Sequence, residues 1–487
     1  MQNERGSWGS NIGFLLAAIG SAVGLGNIWG FPYKMGKSGG FTFLLVYLLL
    51  AVFVGFVIMM GELAMGRKTS KGTIGAYHTL SKRFKWVGWL AVFSPFVIMS
   101  FYSVLGAYCI EYLALNLSNL AFAGAEVMTG GDLFGAMLTN PFGSVMFTLL
   151  FMIICYLINR GGVSGGIEKF NKVGMPALFV CLVIIIIRSL TMEGAMEGLK
   201  FMFVPGYAVS AGFIEEAPNF ATVLATAGGQ MFFSLSLAMG AMITYGSYLE
   251  KKENLVKNSA IIVVADTIVA TMAGIAVIPA AVANGIQNGI PLDQIKLGGP
   301  SLLFVTLQDV FHAMGTVGPL FGVIFYLLVL IAAISSAISL IEVVTTYFMD
   351  RAAEKGKEGN RSKIVLLVCL AIMVEAALVA VDGLGSNGIA PFNLFGMENN
   401  ITGWNDCWLD FMDMMSEGIA MPLGALLMSL MVGWEIKPKT LLDEIHIGSN
   451  TKIDTFFTIC MKFIVPLGMI LVLVGQIDTF FSLGIFG

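Results

Sequence analysis

Apolar residues along this chain fall into long runs that short polar connections separate. A run of about 20 apolar residues can cross the hydrocarbon core of a bilayer as a helix, which rises about 1.5 Å per residue. The composition agrees, because 57% of the 487 residues are hydrophobic and only 12% are charged. The runs predict an all-α polytopic membrane protein with eleven spans, near residues 11–35, 41–66, 87–117, 142–159, 173–192, 218–248, 258–283, 318–349, 364–381, 408–433 and 455–476.

The first predicted span is interrupted by glycines. Residues 20–34 read GSAVGLGNIWGFPYK, in which Gly20, Gly24, Gly26 and the adjacent Asn27 disfavour a continuous helix. A break in a membrane helix leaves backbone carbonyls without their helical hydrogen bonds. Such carbonyls are tolerated at membrane depth only where they are buried in protein or line a polar cavity, and there they can bind a cation. On this motif alone a second interpretation stays open, in which Gly20 and Gly24 let another helix approach closely.

A second interrupted span favours the first interpretation. In residues 229–245, GQMFFSLSLAMGAMITY, the residues Ser234, Ser236 and Gly240 interrupt another spanning run. Interrupted helices at corresponding places in two halves point to the central site of a transporter. Because spans one to five form an odd-numbered set, spans six to ten begin on the opposite side of the membrane. We therefore expect a 5+5 inverted repeat with broken helices 1 and 6.

Three regions and one orientation follow from this arrangement. We expect a first five-helix repeat in residues 1–192, a second inverted repeat in 193–433, and the eleventh span with an extracellular C-terminus in 434–487. Most of the 27 lysines and arginines fall in connections on one side, which predicts a cytoplasmic N-terminus and a location in the plasma membrane.

Composition and motifs also exclude several function classes. The net charge of −4 is distributed along the membrane topology, and no basic patch interleaved with aromatic residues is present, so we expect no nucleic-acid partner. The motif HExxH is absent from the sequence, which argues against a zinc protease of that type, and we expect no enzymatic activity. The expected partners are the lipid bilayer and a small molecule.

Carboxylates at membrane depth are costly, and each one is a candidate functional residue. These candidates are Glu62, Asp266, Glu342, Glu375 and Asp413. Asp266 is the most suggestive, because Asn27, Ser234 and unwound backbone offer neutral oxygens that could complete a site for a hard monovalent cation. For Glu62, Glu342 and Glu375 we favour pairing with nearby hydrogen-bond donors.

Two adjacent serines on the eighth span offer further oxygen ligands. Ser335 and Ser336 follow the segment Ala332-Ala333-Ile334. A serine in a membrane helix usually bonds a carbonyl of its own preceding turn, and only proximity to the first broken helix would favour a binding role. A pocket of carbonyl and hydroxyl oxygens suits sodium better than a transition metal, which prefers histidine or cysteine ligands.

Taken together, these motifs resemble the neurotransmitter:sodium symporter family, specifically its bacterial amino-acid branch with the LeuT-type fold, over essentially the whole chain. The matching stretches are residues 20–34, GELAMGR at 61–67, FFSLSLAMGAMITYGSY at 232–248, AAISSAISLIEVV at 332–344, and the spacing of Gly166 and Pro176. The resemblance implies sodium-coupled import of a neutral, hydrophobic or aromatic amino acid by alternating access. In chloride-dependent relatives a bound anion supplies the charge that Asp266 supplies here, and Ala270 lacks the hydroxyl such an anion needs, so we expect chloride independence.

The resemblance also implies a set of site residues, with two sodium ions expected. The first sodium site would comprise Ala22, Asn27, Ser234 and Asp266, and the second Gly20, Val23, Ala332, Ser335 and Ser336. The substrate site would comprise Ser21, Ala22, Gly24, Leu25, Gly26, Ile98, Tyr102, Phe233, Ser234, Ser236, Met239, Ser336 and Leu340. The inner gate would use Arg5, Trp8, Tyr248 and Asp350, and the outer gate Tyr102, Phe233 and Asp413.

One departure from the family pattern affects the outer gate. The family usually has an arginine after the tryptophan of its first span, whereas Trp29 is followed here by Gly30. Asp413 then lacks its expected partner, and the gate is looser, bridged by water, or served by another cation such as Lys34. Two other functions stay open, a proton-coupled carrier that uses Asp266 and a non-transporting membrane sensor, and the sequence leaves the oligomeric state open.

Overall fold

The computed structural model describes residues 7–121, 129–295, 297, 302–357, 359–396 and 406–486, and helices are the only extended regular elements in these ranges. In chain order they are α1 (Asn11–Ala22), α2 (Gly26–Lys37), α3 (Phe41–Thr69), α4 (Thr73–Leu80), α5 (Val87–Ala121), α6 (Gly130–Leu138), α7 (Pro141–Asn159), α8 (Val163–Leu190), α9 (Ala195–Phe203), α10 (Tyr207–Ser210), α11 (Phe220–Ser234), α12 (Ala241–Gly246), α13 (Leu255–Gln287), α14 (Leu302–Ala313), α15 (Gly315–Glu354), α16 (Arg361–Asp382), α17 (Pro391–Phe395), α18 (Trp408–Glu435), α19 (Lys439–Ile445) and α20 (Asp454–Phe481).

Nine of the described helices are long and apolar enough to cross a membrane, namely α3, α5, α7, α8, α13, α15, α16, α18 and α20. A tenth span is the pair α1 and α2, whose axes differ by 46°. The predicted sixth span contains α11 with 15 residues and α12 with six, and neither is long enough to cross a bilayer alone. The all-helical membrane fold with two broken helices is confirmed, while the count of eleven spans stays a prediction.

The first break lies between Ala22 and Gly26. Val23 is extended, with φ −77° and ψ 96°, so the helical hydrogen-bond ladder stops there. The side-chain oxygen of Asn27 accepts a bond of 3.1 Å from the backbone N–H of Gly24 and so holds the turn from inside the chain. The glycines and the asparagine that predicted the break are therefore the residues that form it.

The second break, between α11 and α12, is a left-handed turn. Ser236, Ala238 and Gly240 have φ values of 51°, 58° and 74°, a conformation that costs a residue with a Cβ atom about 1–2 kcal/mol. Glu62 of α3 holds this turn, because its Oε1 accepts a bond of 2.7 Å from the N–H of Ala238. Its Oε2 has no partner among the described residues, so the pairing expected for Glu62 is only half formed.

The broken helices are packed into the centre of the bundle. Residues 332–346 of α15 are all buried, which is typical of a helix surrounded by others, and α15 packs against α1, α5, α8 and α12. A Cβ atom on Gly66 of α3 would lie 2.0 Å from the carbonyl oxygen of Ile243, so glycine allows α12 to cross α3 closely. The boundaries of the predicted repeats, 192/193 and 433/434, stay predictions.

Candidate functional site

A small cavity lies where the two helix breaks meet. Its empty volume is about 260 Å³, of which the centre of a water molecule could occupy only about 10 Å³. The lining residues are Ser21, Ala22, Gly24, Gly26, Ile98, Tyr102, Phe233, Ser236, Met239, Ser336 and Leu340. The structure thus brings together eleven of the thirteen residues predicted for the substrate site; Leu25 and Ser234 lie outside the lining.

One end of the cavity is polar, and backbone groups supply much of the polarity. The N–H of Leu25 donates a bond of 3.0 Å to the hydroxyl of Tyr102, so Leu25 supports the wall from behind. The hydroxyl of Ser236 donates to the carbonyl of Ser21 at 2.8 Å and ties the second break to the first. A Cβ atom on Gly24 would lie 2.2 Å from the hydroxyl of Ser336, so this close approach of backbone and side chain requires glycine.

The other end of the cavity is apolar. Ile98, Met239 and Leu340 are all at least 97% buried and form its wall. The rings of Tyr102 and Phe233 lie at its edge, with centroids 6.3 Å apart and planes inclined by 56°. Among the described residues, no acidic or basic side chain lines the cavity, so its walls match a molecule with a polar head and an uncharged, apolar tail.

Beside the cavity, Asp266 is buried among hydrogen-bond donors. Its carboxylate accepts from the amide of Asn27 at 2.7 Å and from the hydroxyl of Ser234 at 2.9 and 3.1 Å. Tyr47 of α3, which the sequence analysis did not single out, is the third donor residue, with a bond of 3.1 Å. A tyrosine isolated in the apolar run LLVYLLL was the only available signal for this residue. The three predicted side chains, Asn27, Ser234 and Asp266, therefore do lie together.

A second cluster of oxygens joins the first break to α15. Ser335 donates to the carbonyl of Val23 at 3.4 Å, and Ser336 donates to the carbonyls of Gly20 and Ser21 at 3.3 and 3.0 Å. Ser335 also bonds its own helix, at the carbonyl of Ala332, at 2.9 Å. Both serines therefore face the break, and the proximity condition set by the sequence analysis is met.

A third residue of the same helix face completes the junction between α1 and α15. Ser21 donates a side-chain bond of 2.7 Å to Ser339, a residue that the sequence analysis missed. Ser339 follows Ser336 by three residues, so both lie on one helix face. That spacing was a usable signal.

The residues predicted for the inner gate lie at the end of the molecule that carries the basic loops. The indole N–H of Trp8 donates a bond of 3.1 Å to the carbonyl of Tyr245. The ring centroids of Trp8 and Tyr248 are 6.4 Å apart. Asp350 accepts a bond of 2.8 Å from the N–H of Gly72, which fastens α15 to the start of α4. Arg5, the fourth predicted residue of this gate, lies outside the described residues.

Glu342 and Arg361 add a buried ion pair to this region. The guanidinium of Arg361 binds both carboxylate oxygens of Glu342, and Tyr248 donates to the same carboxylate at 2.9 Å. Glu342 is fully buried, as the predicted pairing requires. Arg361 was missed because it begins α16, beyond the resembling motifs. Glu375, for which pairing was also expected, has one carboxylate oxygen without a partner in the described chain.

At the opposite end of the molecule, the side chain of Gln230 lies against Gly30, the position at which the family usually has an arginine. A Cβ atom on Gly30 would lie 2.8 Å from Oε1 of Gln230, whose amide donates to the carbonyl of Gly26 at 2.8 Å. Lys34, one turn further along, forms an ion pair with Glu417, and the two side chains are 11% and 7% exposed. Glu417 follows Asp413 by one helical turn, and this spacing of two acids was a signal that the sequence analysis did not use.

Comparison with known proteins indicates one family. The profile described as the Sodium:neurotransmitter symporter family matches residues 5–129 and 137–486. The chain is 35% identical over 474 residues to a protein of Bacillus subtilis (strain 168) described as a sodium-dependent transporter, covering 96% of this chain and 97% of that one. It is 24% identical to the human sodium- and chloride-dependent GABA transporter 2, covering 95% and 78%.

A solved structure agrees with both the fold and the family. The crystal structure of MhsT in complex with L-phenylalanine matches this structure with a TM-score of 0.82 at 34% sequence identity, covering 97% of this chain and 100% of that one. The LeuT-type fold expected from the sequence is therefore confirmed.

Proposed function

The chain belongs to the sodium:neurotransmitter symporter family, and from this premise we propose that it imports a neutral amino acid with an apolar or aromatic side chain, driven by sodium. Proteins of this family and fold are secondary transporters and not enzymes. The single observation that carries the substrate class is the cavity between the two helix breaks, which is polar at one end, apolar at the other and free of charged side chains. The phenylalanine bound to MhsT supports the same class.

In this proposal the polar end binds the amino-acid head group. The substrate carboxylate meets the amides of Gly24, Leu25 and Gly26 and the hydroxyl of Tyr102. It replaces Asn27 and Tyr102 as the acceptors of the Gly24 and Leu25 N–H groups. Its ammonium meets carbonyl oxygens of Ser21, Ala22 and Phe233 and the hydroxyl of Ser236. The side chain packs against Ile98, Met239 and Leu340, and methionine adapts readily to different shapes. Because the cavity has room for the centre of about one water molecule, its walls must move apart to admit a side chain.

Two oxygen clusters beside the cavity are the proposed sodium sites. The first consists of the Ala22 carbonyl, Asn27, Ser234 and Asp266, with the substrate carboxylate as a further ligand. The second consists of the carbonyls of Gly20, Val23 and Ala332 and the hydroxyls of Ser335 and Ser336. All of these ligands are oxygens, as hard cations prefer.

Fixed negative charge makes a bound chloride unnecessary in this scheme. Two sodium ions and a zwitterionic substrate carry a charge of +2, which Asp266 reduces to +1. Ala270, one turn after Asp266 on α13, is fully buried and offers no hydroxyl to an anion. We therefore propose that transport is independent of chloride, unlike that of the relatives named as chloride-dependent.

The sodium gradient provides enough free energy for concentrative import. A charge moved through 100 mV contributes about 2.3 kcal/mol, and a tenfold gradient adds about 1.4 kcal/mol. Two ions would then provide about 7 kcal/mol, which corresponds to an accumulation of roughly 10⁵-fold.

Alternating access requires two gates and a defined orientation. We propose that the end with the basic loops faces the cytoplasm of the plasma membrane, with the C-terminus outside. A rocking of the first, second, sixth and seventh spans then exposes the bound ions and substrate inward. Trp8, Tyr248 and Asp350, with Arg5, form the inner gate. Tyr102 and Phe233 form the outer lid.

The ion pair of Lys34 and Glu417 takes the part of the missing arginine at the outer gate. It joins α2 to α18 one helical turn beyond Gly30, where it closes the route above the lid. Asp413 lies beside Glu417 on α18 and provides additional negative charge.

Uptake by the purified protein in liposomes tests the proposal. We expect a sodium gradient to drive accumulation of labelled leucine or phenylalanine, with tyrosine and tryptophan competing and glutamate and lysine failing to compete. A pH gradient without sodium tests the proton-coupled alternative, for which a buried Asp266 without a cationic side-chain partner is the motivating observation. Uptake driven by the pH gradient alone would overturn sodium coupling, and preferential uptake of a charged amino acid would overturn the substrate class.

A further inference from the structure

An apolar groove lies on the outside of the bundle, and none of the described residues that line it also lines the transport cavity. Its accessible volume is about 450 Å³, a size typical of ligand sites. Its walls come from the start of α5, the end of α15 and the start of α16, and they include Trp89, Phe93, Tyr347, Ile364, Leu367 and Ala371. Phe93, Phe348 and Leu367 are 42–56% exposed, so the groove opens toward lipid.

The end of the groove near the basic loops differs from the rest of its walls, because cationic groups lie there beside the aromatic rings. Trp86 and Trp89 are half exposed, as is common for tryptophans at a membrane–water interface. The ring of Trp89 contacts that of Tyr347 at 5.0 Å. The hydroxyl of Tyr347 accepts a bond of 2.6 Å from the guanidinium of Arg351, which places a positive charge at the mouth of the groove.

A basic residue lies within, or just before, the terminal turn of each of the three helices that form the groove. Lys85 lies one turn before Trp89, Arg351 lies one turn after Tyr347, and Lys363 immediately precedes Ile364. The nearby acids on α15 have other described partners: Asp350 accepts from the N–H of Gly72, and Glu354 lies 3.6 Å from Lys71. The mouth of the groove therefore combines an apolar slot with positive charge.

We propose that this groove binds an anionic phospholipid from the adjacent leaflet, with an acyl chain in the slot and the phosphate near Arg351. Apolar walls account for the acyl chain, and basic pockets between membrane helices are typical sites for anionic head groups. The lipid would contact α5, α15 and α16 together, and α15 also carries Ser335 and Ser336. The groove is thus a lipid site separate from the transport cavity, and it would brace the helix that contributes the serine cluster.

Trp89 provides a reporter inside the groove. The purified full-length protein is placed in bilayers that contain phosphatidylglycerol or phosphatidylcholine with brominated acyl chains, and tryptophan fluorescence is measured. The part of the signal that comes from Trp89 is the difference between the wild type and Trp89→Phe. We expect half-maximal quenching of this part at an about fivefold lower mole fraction of brominated phosphatidylglycerol than of brominated phosphatidylcholine, the preference expected for one basic residue at a membrane surface.

Substitutions at the mouth and inside the slot separate the two parts of the proposal. Arg351→Gln should abolish the head-group preference and Arg351→Lys should retain it, while Lys257→Gln, an exposed cation on α13, should change nothing. Ala371→Phe, which fills the slot, should reduce quenching of Trp89 by both lipids. Equal quenching by the two lipids in the wild type, an unchanged preference in Arg351→Gln, or no quenching of Trp89 would each overturn the proposal.

Discussion

Replacing Asp266 with asparagine is the most direct test of the first sodium site, because the change removes one charge and almost no volume. The carboxylate is fully buried, and its donors in the described part of the chain are all neutral, namely Asn27, Ser234 and Tyr47. It has no cationic side chain to offset its charge among these contacts. A buried charge of this kind costs several kcal/mol, and a bound cation would offset that cost.

The structure predicts opposite effects of Asp266→Asn with and without sodium. Without sodium, Asp266→Asn removes the cost of burying a charge but loses one hydrogen bond, because the amide nitrogen cannot accept. These two effects offset each other, so the free energy of unfolding should change little or rise. With sodium, a unit charge about 4 Å from the ion contributes about 4 kcal/mol at an effective dielectric constant of about 20. Allowing for the retained amide oxygen, a net loss of about 2–3 kcal/mol would weaken sodium binding by roughly 30- to 100-fold.

Thermal unfolding of the purified protein measures both effects in one titration. Sodium replaces choline at constant ionic strength, and the sodium concentration for the half-maximal rise in melting temperature is read for each variant. Glu375→Gln, a partly buried membrane carboxylate on α16, serves as the matched control and should keep the wild-type midpoint. A wild-type sodium midpoint in Asp266→Asn would refute the reasoning, and so would an equal loss in the control.

Three further outcomes follow from other parts of the site. Ser336→Ala should raise the sodium concentration for half-maximal uptake several-fold, since it removes a hydroxyl held against the first break; an unchanged titration contradicts the second sodium site. Lys34→Met should speed release of bound amino acid about tenfold by opening the outer closure, and Lys34→Met/Glu417→Gln should partly reverse this; unchanged release excludes the gate. Wild-type uptake should persist when gluconate replaces chloride, whereas Asp266→Asn/Ala270→Ser should regain uptake only in chloride; failure of the wild type in gluconate contradicts chloride independence.

The cavity was predictable because its backbone is encoded locally. Glycines at 20, 24 and 26 and the serine-rich stretch after Phe233 mark the two breaks in the sequence itself, and a break at membrane depth must line a cavity. Leu25 and Ser234 do not line it, although each belongs to a motif that does. Neither side chain lines the cavity, because the direction of a side chain in an unwound turn depends on the backbone geometry of that turn. The spacing of residues in the sequence does not predict this direction.

The residues that were missed act over long distances in sequence. Tyr47 reaches Asp266 across 219 positions, and Glu417 lies 383 positions from Lys34, the cation that the sequence had suggested. No local period links such pairs, because the contact exists only after the helices have packed. Arg361 is a similar case, since its partner Glu342 lies 19 residues earlier on a different helix. The sequence therefore predicted which backbone opens, while packing determines which side chains stabilise it.

The hydrogen bonds around the first break suggest how ions and substrate are coupled. On one side, Ser335 and Ser336 join this break to α15; on the other, Asn27 joins it to Asp266 of α13. A carbonyl oxygen has two lone pairs, so it can accept from a serine and still bind a cation. A cation on either side would strengthen the same junction and so favour the conformations in which the two breaks and α15 lie together. Because those conformations are also the ones that form the substrate cavity, ion binding and substrate binding would support each other through differential affinity for one state.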